Sequence, residues 1–384
     1  MNETVEVVVI GAGPAGLAAA AMLRERGIDA VILDQAPTVG DRWRHHYDRL
    51  HLHTASRHSG LPGLPWPASA PKFPSRDEVV AYLERYAAHF QLQPRLGHTV
   101  VRAAPSSGGW HIVGTGIGGA PFSLDARFLV VATGYNRVAR PVSFPGIAGF
   151  PGTVCHGGAY RNGEYARGQR ALVVGCGNSG AEMALDLVEH GAAVWLVVRN
   201  PTWVVPRDLL ALSSQEWSIL LSGLPTSWYD QISRFLLGIR VGDLSRYGIQ
   251  RPVEGPRDQI ERLGRVPLLD IGTLARIRSG EIRVVPGVER FEGAEAIFSD
   301  GQRLPFDHVV VATGYSAALD GFLAADFPRN ERGLPVHHGE EAGVPGLYFT
   351  GFKNPPTGAF RELGFEAPRI AADIGRRRVK AQRA

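Results

Sequence analysis

Cysteine is scarce in this chain of 384 residues, which contains only Cys155 and Cys176. Two cysteines so far apart in the sequence form no C-x-x-C redox pair, no disulfide framework and no cysteine-based zinc site, so we predict no metal site. An excess of one charge is also lacking, because the formal charge of +4 comes from the last nine residues. They include Arg376, Arg377, Arg378, Lys380 and Arg383. We interpret this tail as a frayed, solvated end, which leaves no basic stripe for nucleic acid.

Long hydrophobic runs are absent as well. The longest uncharged stretch, residues 7–23, is shorter than a membrane-spanning helix and is broken by glycines and a proline. Glu3 and Glu6 precede it, where a signal peptide needs positive charge. We therefore expect no stable membrane association and a cytoplasmic location. With 44% hydrophobic and 20% charged residues the composition is typical of globular proteins, and the length predicts two or three domains.

A dinucleotide-binding motif is present at the start of the chain. A β-branched strand at residues 5–10 is followed by a glycine-rich turn, an alanine-rich helix and a second strand that ends at Asp34. The turn consists of Gly11, Ala12, Gly13, Pro14, Ala15 and Gly16. Its glycines allow close approach of a pyrophosphate to the helix N-terminus, and Asp34 can accept hydrogen bonds from ribose hydroxyls. We predict that this unit binds FAD; a turn needed only for packing would leave Asp34 unexplained.

The same pattern returns in the middle of the chain. The second turn consists of Gly175, Cys176, Gly177, Asn178, Ser179 and Gly180. Here the second strand ends at Arg199, in the place that corresponds to Asp34. A guanidinium suits the 2′-phosphate of NADPH, so we predict a second, different cofactor; an arginine that merely faces solvent is the alternative.

A second internal repeat joins these units. Residues 128–135 read FLVVATGY and residues 308–315 read HVVVATGY, each a buried strand that ends in Thr-Gly. We predict that cofactors contact Thr133, Gly134, Thr313 and Gly314. A further strand at residues 346–352 places Gly351 and Phe352 at the flavin.

The repeats predict an α/β fold with two Rossmann-like dinucleotide-binding domains. Residues 1–164 and 311–384 form the FAD domain, and residues 165–310 form the inserted NADPH domain. Its aromatic-rich segment, about residues 203–251, either covers a substrate entrance or packs as helical core, with an amphipathic membrane contact as a weaker third reading. Residues 357–374 predict a helix kinked or divided at Pro368.

A signature between the two nucleotide units gives the chain a family resemblance. Phe150, Gly152, His156 and Tyr160 match every fixed position of F-x-G-x-x-x-H-x-x-x-[YF]. The chain resembles the class B flavin-containing monooxygenases, most of all their YUCCA branch, which converts indole-3-pyruvate to indole-3-acetate. YUCCA-like segments stand at residues 47–50, 173–180, 246–249 and 267–286. The resemblance implies that NADPH reduces FAD and that a flavin C4a-(hydro)peroxide transfers oxygen from O₂ to a small molecule, for which a 2-oxo acid is the expected class.

The resemblance also points to a catalytic histidine. His53 stands where heteroatom-oxidising relatives carry an asparagine and the YUCCA branch a histidine. The family resemblance also implies that Gln35, Trp43 and Leu50 contact a cofactor. One alternative is that His53 only satisfies local hydrogen bonds, as one of several histidines in residues 45–58.

Two departures from the YUCCA pattern leave the substrate open. Residues 54–57 (TASR) replace a Leu-Pro-Lys segment, and residues 354–365 replace an Arg-Arg-Gly-Leu-Leu-Gly-like one. N- or S-oxygenation and Baeyer-Villiger oxidation therefore remain alternatives, although Baeyer-Villiger enzymes usually carry tryptophan at the position of Tyr160. A flavin disulfide reductase needs two cysteines close together in the sequence, and this chain lacks such a pair. An NADPH-dependent flavin reductase or redox-sensing flavoprotein is the alternative outside the class, and a homodimer is left open.

Overall fold

The computed structural model describes residues 3–382, which divide into two compact units. The first unit contains the described part of residues 1–44, 54–138 and 315–384, and the second contains residues 45–53 and 139–314. Two short strands, β6 (Val138–Ala139) and β19 (Tyr315–Ser316), lie where the chain passes between units. Within the described part of the chain, none of the helices has the length and apolar character that crossing a membrane requires.

The first unit is a layered α/β structure. Its strands are β1 (Glu3–Ile10), β2 (Ala30–Leu33), β3 (Thr99–Ser106), β4 (Gly109–Thr115), β5 (Pro121–Val131) and β20 (Leu347–Phe349), and its helices are α1 (Pro14–Arg24), α2 (Asp41–Arg44), α3 (Arg76–His89) and α9 (Ala359–Gln382). The sheet order is β2-β1-β5-β4-β3, and β20 also pairs with β5. Val7, Val8 and Val9 of β1 are fully buried, which suits a strand covered on both faces and contributes about 1.5–3 kcal/mol for each side chain.

The second unit repeats this plan. Its main strands are β7 (Thr153–His156), β8 (Arg170–Val174), β9 (Ala193–Val197), β14 (Ile282–Val285) and β18 (His308–Val311), in the order β14-β9-β8-β18-β7. The shorter strands are β10 (Val204–Pro206), β11 (Asp208–Leu209), β12 (Leu212–Ser213), β13 (Leu268–Asp270), β15 (Val288–Glu292), β16 (Glu295–Phe298) and β17 (Arg303–Pro305). The helices are α4 (Asn178–Glu189), α5 (Ser214–Leu220), α6 (Thr226–Val241), α7 (Pro256–Leu263) and α8 (Thr273–Arg278).

The two sheets place the repeated motifs identically. β1 runs parallel to β5, and β8 runs parallel to β18, so each glycine-rich turn follows a strand whose neighbour ends in Ala-Thr-Gly. The N–H of Ala132 donates to Ile10 O and that of Ala312 donates to Val174 O, both at 2.8 Å. The carboxyl ends of the parallel strands therefore meet at each turn, and the predicted fold with two Rossmann-type units is confirmed.

Three sequence-based expectations differ from the structure. Residues 45–53, 139–164 and 311–314, assigned above to the first domain, lie in the second unit. For residues 153–156 the reason is that β7 pairs in parallel with β18. α9 continues through Pro368 as one helix, so the predicted alternative of two short helices is wrong. The basic tail is not frayed as far as it is described, because Arg377 pairs with Glu341 and Asp373, and Arg378 pairs with Glu6. Arg383 lies outside the described residues.

The aromatic-rich segment 203–251 divides between core and surface. Trp203 and Tyr229 are buried, in agreement with the helical-core reading. On α6, Trp228, Phe235 and Ile239 share one face of the helix and are between 64% and 72% exposed.

Candidate functional site

In the glycine-rich turn of the first unit, backbone atoms lie so close together that two positions have no room for a side chain. A Cβ on Gly16 would lie 1.8 Å from Gly11 O, and one on Gly11, whose φ is +111°, would lie 2.6 Å from Ala132 O. A Cβ on Gly13 would meet nothing within 4 Å. Packing therefore requires glycine at positions 11 and 16, whereas Gly13 borders free space at the N-terminus of α1. Such space suits a phosphate group that approaches the backbone.

Polar groups around this turn are arranged to receive a ligand. Asp34 accepts hydrogen bonds from the N–H groups of Ala12 (2.6 Å) and Ala36 (2.8 Å). Each oxygen keeps a second lone pair for a ribose hydroxyl. Burial raises the pKa of Asp34. Thr133 Oγ1 is buried and has no hydrogen-bond partner among residues 3–382, so a bound group can satisfy it.

Only some of the other residues predicted to bind a cofactor in the first unit lie at this turn. Gly351 adjoins it, because a Cβ there would lie 2.6 Å from the Cβ of Ala15. Pro14 is the first residue of α1, which its fixed φ favours. Trp43 packs edge-on against Phe360 at 6.1 Å, and Gln35 is exposed. Phe352 is buried against Phe349, and Gly134 has a φ of +72° with open space around it.

A buried carboxylate that the motifs did not indicate holds the Gly351 turn. The hydroxyl of Thr350 and the N–H of Gly351 donate to Glu366 Oε2 at 2.9 and 3.0 Å. Glu366 Oε1 lies 3.9 Å from Nδ1 of His338, and neither atom has a hydrogen-bond partner in the described chain. Burial raises the pKa of Glu366 and lowers the pKa of His338 to about 4.

Glu366→Gln is expected to stabilise the protein by about 1–3 kcal/mol, because an amide can accept from Thr350 and donate to His338 without a buried charge. When folding raises the pKa of a carboxyl group, the protein loses stability as the pH rises above the ordinary pKa of that group, which is 4.5 for glutamate. Glutamine does not titrate, so its advantage should be larger at pH 8 than at pH 5 in urea unfolding. Glu362→Gln on the same helix is the control. An equal gain at both pH values would contradict this account of Glu366.

The turn of the second unit repeats the first. A Cβ on Gly180 would lie 1.9 Å from Gly175 O, and one on Gly175 would lie 2.6 Å from Ala312 O. Gly177 again borders free space at the N-terminus of its helix, α4. Asn178 Oδ1 accepts the N–H of Leu269 at 2.8 Å, so this residue holds a neighbouring strand.

An open cleft of about 360 Å³ lies beside this second turn. Gly175, Thr313 and Arg199 line it, as do Arg265 and Gln259, which sequence reasoning missed. Gln259 is 3% exposed, and its Oε1 lacks a hydrogen-bond partner within residues 3–382. Two guanidinium groups and an unsatisfied carbonyl suit a phosphorylated nucleoside.

His53 lies in the second unit and contacts a buried glutamate. His53 Nε2 is 2.5 Å from Oε1 of Glu182, which is 1% exposed and belongs to α4. The side chain of Tyr47 is buried near Ser179 and Glu182, and burial followed by the charge of Glu182 raises the pKa of Tyr47 well above its usual value. Leu50 is also buried in this unit. Spatial contact, which sequence spacing did not reveal, links His53 to the helix of the second turn.

The four signature residues build the second unit. Phe150 packs edge-on against Phe291 at 5.7 Å, and a Cβ on Gly152 would lie 2.1 Å from Asp307 O. The side chains of the remaining two residues make hydrogen bonds. His156 Nδ1 accepts the N–H of Gly158 and Nε2 donates to Gly314 O at 3.3 Å, while Tyr160 donates to Asp186 Oδ2 at 2.5 Å.

The two thiols are poorly suited to redox chemistry. Burial raises the pKa of Cys176 to about 12 and also raises the pKa of Cys155. The thiolate is the nucleophilic form, so both side chains are unreactive near neutral pH.

Comparisons with known proteins agree with this geometry. A family model described as pyridine nucleotide-disulphide oxidoreductase matches residues 8–214. Indole-3-pyruvate monooxygenase YUCCA1 of Oryza sativa subsp. japonica is 41% identical over 352 residues, which cover 90% of this chain and 86% of that protein. Among solved structures, the flavin-containing monooxygenase from Stenotrophomonas maltophilia has a TM-score of 0.71 at 24% identity, and the match covers 98% and 99% of the two chains.

Fold alone does not separate oxygenases from disulfide reductases. The bacillithiol disulfide reductase Bdr from Bacillus cereus also has a TM-score of 0.71, at 19% identity over 98% of this chain and 100% of that one. The identity to YUCCA1 over most of both chains makes the distinction. The chain is therefore an oxidoreductase that belongs to the flavin-containing monooxygenase family, in its YUCCA branch.

Proposed function

We propose that this chain is an FAD- and NADPH-dependent monooxygenase that oxidises a 2-oxo acid of the indole-3-pyruvate type, with O₂ as co-substrate. The observation that carries the two cofactors is the pair of glycine-rich turns with unlike surroundings: an acidic residue at the first and a cleft with two arginines at the second. The 2-oxo acid substrate class is supported by the identity to YUCCA1. When bound, NADPH supplies a hydride to FAD, and the reduced flavin with O₂ supplies the transferred oxygen atom.

In the first unit, we assign the FAD pyrophosphate to the N-terminus of α1. Gly13 leaves room for it, and the N–H groups and dipole of the helix attract its charge. Asp34 accepts hydrogen bonds from the ribose, and Thr133 Oγ1 donates to or accepts from the bound group. Gly351, held by Glu366, keeps the approach to the turn free of side chains.

In the second unit, we assign NADPH to the cleft at the N-terminus of α4. Gly177 leaves room for the pyrophosphate, and Arg199 and Arg265 pair with the 2′-phosphate. Gln259 Oε1 accepts a hydrogen bond from the adenosine part. Thr313 also lines this cleft.

The test is NADPH consumption by the FAD-loaded protein with indole-3-pyruvate, phenylpyruvate, amines, sulfides and cyclic ketones, with hydrogen peroxide measured alongside. Product from the 2-oxo acids at a ratio to NADPH near one is expected. If only amines or sulfides are oxygenated, they are the substrate class in place of the 2-oxo acids. A flavin that NADPH does not bleach would contradict the monooxygenase assignment. Mass photometry of the same sample decides whether the protein is the homodimer that the sequence leaves open, and a cytoplasmic location stays a prediction.

His53→Asn is expected to lower the product formed per NADPH at least about tenfold, while NADPH still reduces the flavin at a similar rate. An imidazole can hold or move a proton near neutral pH, whereas an amide cannot. His51→Asn is the matched control, because His51 is exposed and its Nδ1 lies 2.7 Å from the backbone oxygen of Arg49. An unchanged product ratio in His53→Asn would make this histidine a bystander.

A further inference from the structure

We propose that Glu182 is a positioning residue for His53: its buried carboxylate keeps the proton on Nε2 and leaves Nδ1 as the nitrogen that His53 can offer to a bound molecule. The inference rests on the proposed function, since it concerns the same histidine. No dinucleotide motif indicated Glu182, which lies in the interior of α4 beyond the glycine-rich turn.

The backbone that carries His53 is held by neighbours in the same unit. The N–H of Asp48 donates to Arg161 O at 2.9 Å, and Asn162 Nδ2 donates to Asp48 Oδ2 at 2.9 Å. Arg49 pairs with Glu189, on the same helix as Glu182, at 2.6 Å. These contacts hold the chain on the N-terminal side of His53, at Asp48 and Arg49, and leave the rotation and tautomer of the His53 ring to be fixed by another group.

Glu182 removes that freedom. Its Oε1 lies 2.5 Å from His53 Nε2, within the range of a charge-assisted hydrogen bond. A carboxylate only accepts, so the imidazole must donate from Nε2, and a neutral ring then carries its lone pair on Nδ1. The His53 side chain is 20% exposed while that of Glu182 is 1% exposed, so the histidine is the member of the pair that a ligand can reach.

The surroundings of Glu182 favour this role over simple packing. Its Oε2 is buried without a hydrogen-bond partner in the described part of the chain, so the carboxylate is not saturated by the protein. A buried charge costs free energy unless a neighbouring group compensates it. The polar side chains of His53 and Tyr47 lie next to the Glu182 carboxylate. Tyr47 stays neutral, because burial and the charge of Glu182 both raise its pKa. The proton shared between Glu182 and His53 is therefore what compensates the buried charge.

The arrangement resembles in principle the orienting carboxylate of hydrolytic triads, which fixes a histidine tautomer without taking its proton. Glu182→Gln keeps the shape but lets an amide donate to Nε2, which favours the opposite tautomer with the proton on Nδ1. We expect product per NADPH to fall at least about tenfold, with flavin reduction by NADPH retained.

The test reads the imidazole directly. FAD-loaded protein with ¹⁵N-labelled histidine is examined by long-range ¹H–¹⁵N correlation at pH 8, and His53→Asn identifies the signals of His53. The wild type should show the Nε2-protonated tautomer, and Glu182→Gln should shift the population toward the Nδ1-protonated one. Glu182→Asp retains a carboxylate and should keep the wild-type tautomer. Glu289→Gln, an exposed change in the same unit that the positioning of His53 does not involve, is the matched control.

The outcomes separate the inference from the function on which it rests. An unchanged tautomer in Glu182→Gln, or an equal change in Glu289→Gln, would overturn the positioning role. If Glu182→Gln does not fold, the wild-type and Glu182→Asp spectra still decide: a proton on Nδ1 in either protein would overturn it. A tautomer change in a protein that oxygenates no member of the substrate panel would support the positioning of His53 while removing the proposed function.

Discussion

Arg199→Glu is expected to reverse the cofactor preference from NADPH to NADH, with a change of at least about 100-fold in the ratio of the two kcat/KM values. Arg199 follows β9 and lines the cleft beside the second glycine-rich turn, together with Arg265. Losing one or two charge-assisted hydrogen bonds costs about 1.5–3 kcal/mol each, and the introduced carboxylate also repels a 2′-phosphate. Each 1.4 kcal/mol corresponds to about a tenfold change.

Steady-state kinetics with both cofactors, and the affinity for adenosine 2′,5′-bisphosphate, measure this effect. Arg265→Ala should lower NADPH affinity less, about tenfold, since Arg199 remains. Arg262→Glu is the control, because its side chain is 61% exposed and pairs with Glu254 and Asp258. An NADPH preference that survives Arg199→Glu would show that the arginine faces solvent and that another group selects the cofactor.

Gly16→Ala and Gly13→Ala are expected to fail in different ways. At position 16 the new methyl group would lie 1.8 Å from Gly11 O, so the backbone must move. We expect a loss of at least about 3 kcal/mol of folding stability, and a colourless, aggregation-prone product. At position 13 the methyl group meets no protein atom, so the apoprotein should unfold at nearly the wild-type temperature. Its FAD affinity should fall at least about tenfold, because the methyl occupies the space assigned to the pyrophosphate.

The ratio of flavin absorbance to protein absorbance and the melting temperature of the apoprotein separate the two effects. Gly108→Ala provides a control for the added methyl group alone, since Gly108 lacks a positive φ, has nothing within 4 Å of the new Cβ and is far from the turn in sequence. Normal FAD binding by Gly13→Ala would place the pyrophosphate elsewhere. A normally stable Gly16→Ala protein would contradict the close approach of α1 to β1.

The local parts of the fold could be predicted from the sequence, and the reason is visible in the repeats. Each glycine-rich turn is fixed by contacts between residues close in sequence and by one neighbouring strand, and both of those strands end in the same Ala-Thr-Gly. Buried β-branched runs and glycine spacing carry this information. The family resemblance was confirmed by the identity to YUCCA1.

The residues that complete each site could not be predicted in the same way. Arg265 and Gln259 enter the cleft from α7 and the residues after it, far along the chain from Arg199. Glu182 and Glu366 are acidic residues in helices, where exposure is the usual expectation. Only the tertiary packing shows that both are buried and which groups they hold. The sequence could not decide whether α9 is divided at Pro368, because an internal proline either kinks or interrupts a helix.

The course of α9 has a practical consequence for anyone who expresses the protein. This helix carries Glu366 near its start and Arg377 and Arg378 near its end, and the two arginines pair with residues of the first unit outside the helix. Trimming the carboxyl terminus to remove a basic extension would cut these anchors and loosen the segment that supports Gly351. An affinity tag on that side is best separated from Gln382 by a flexible spacer, so that the anchors stay intact.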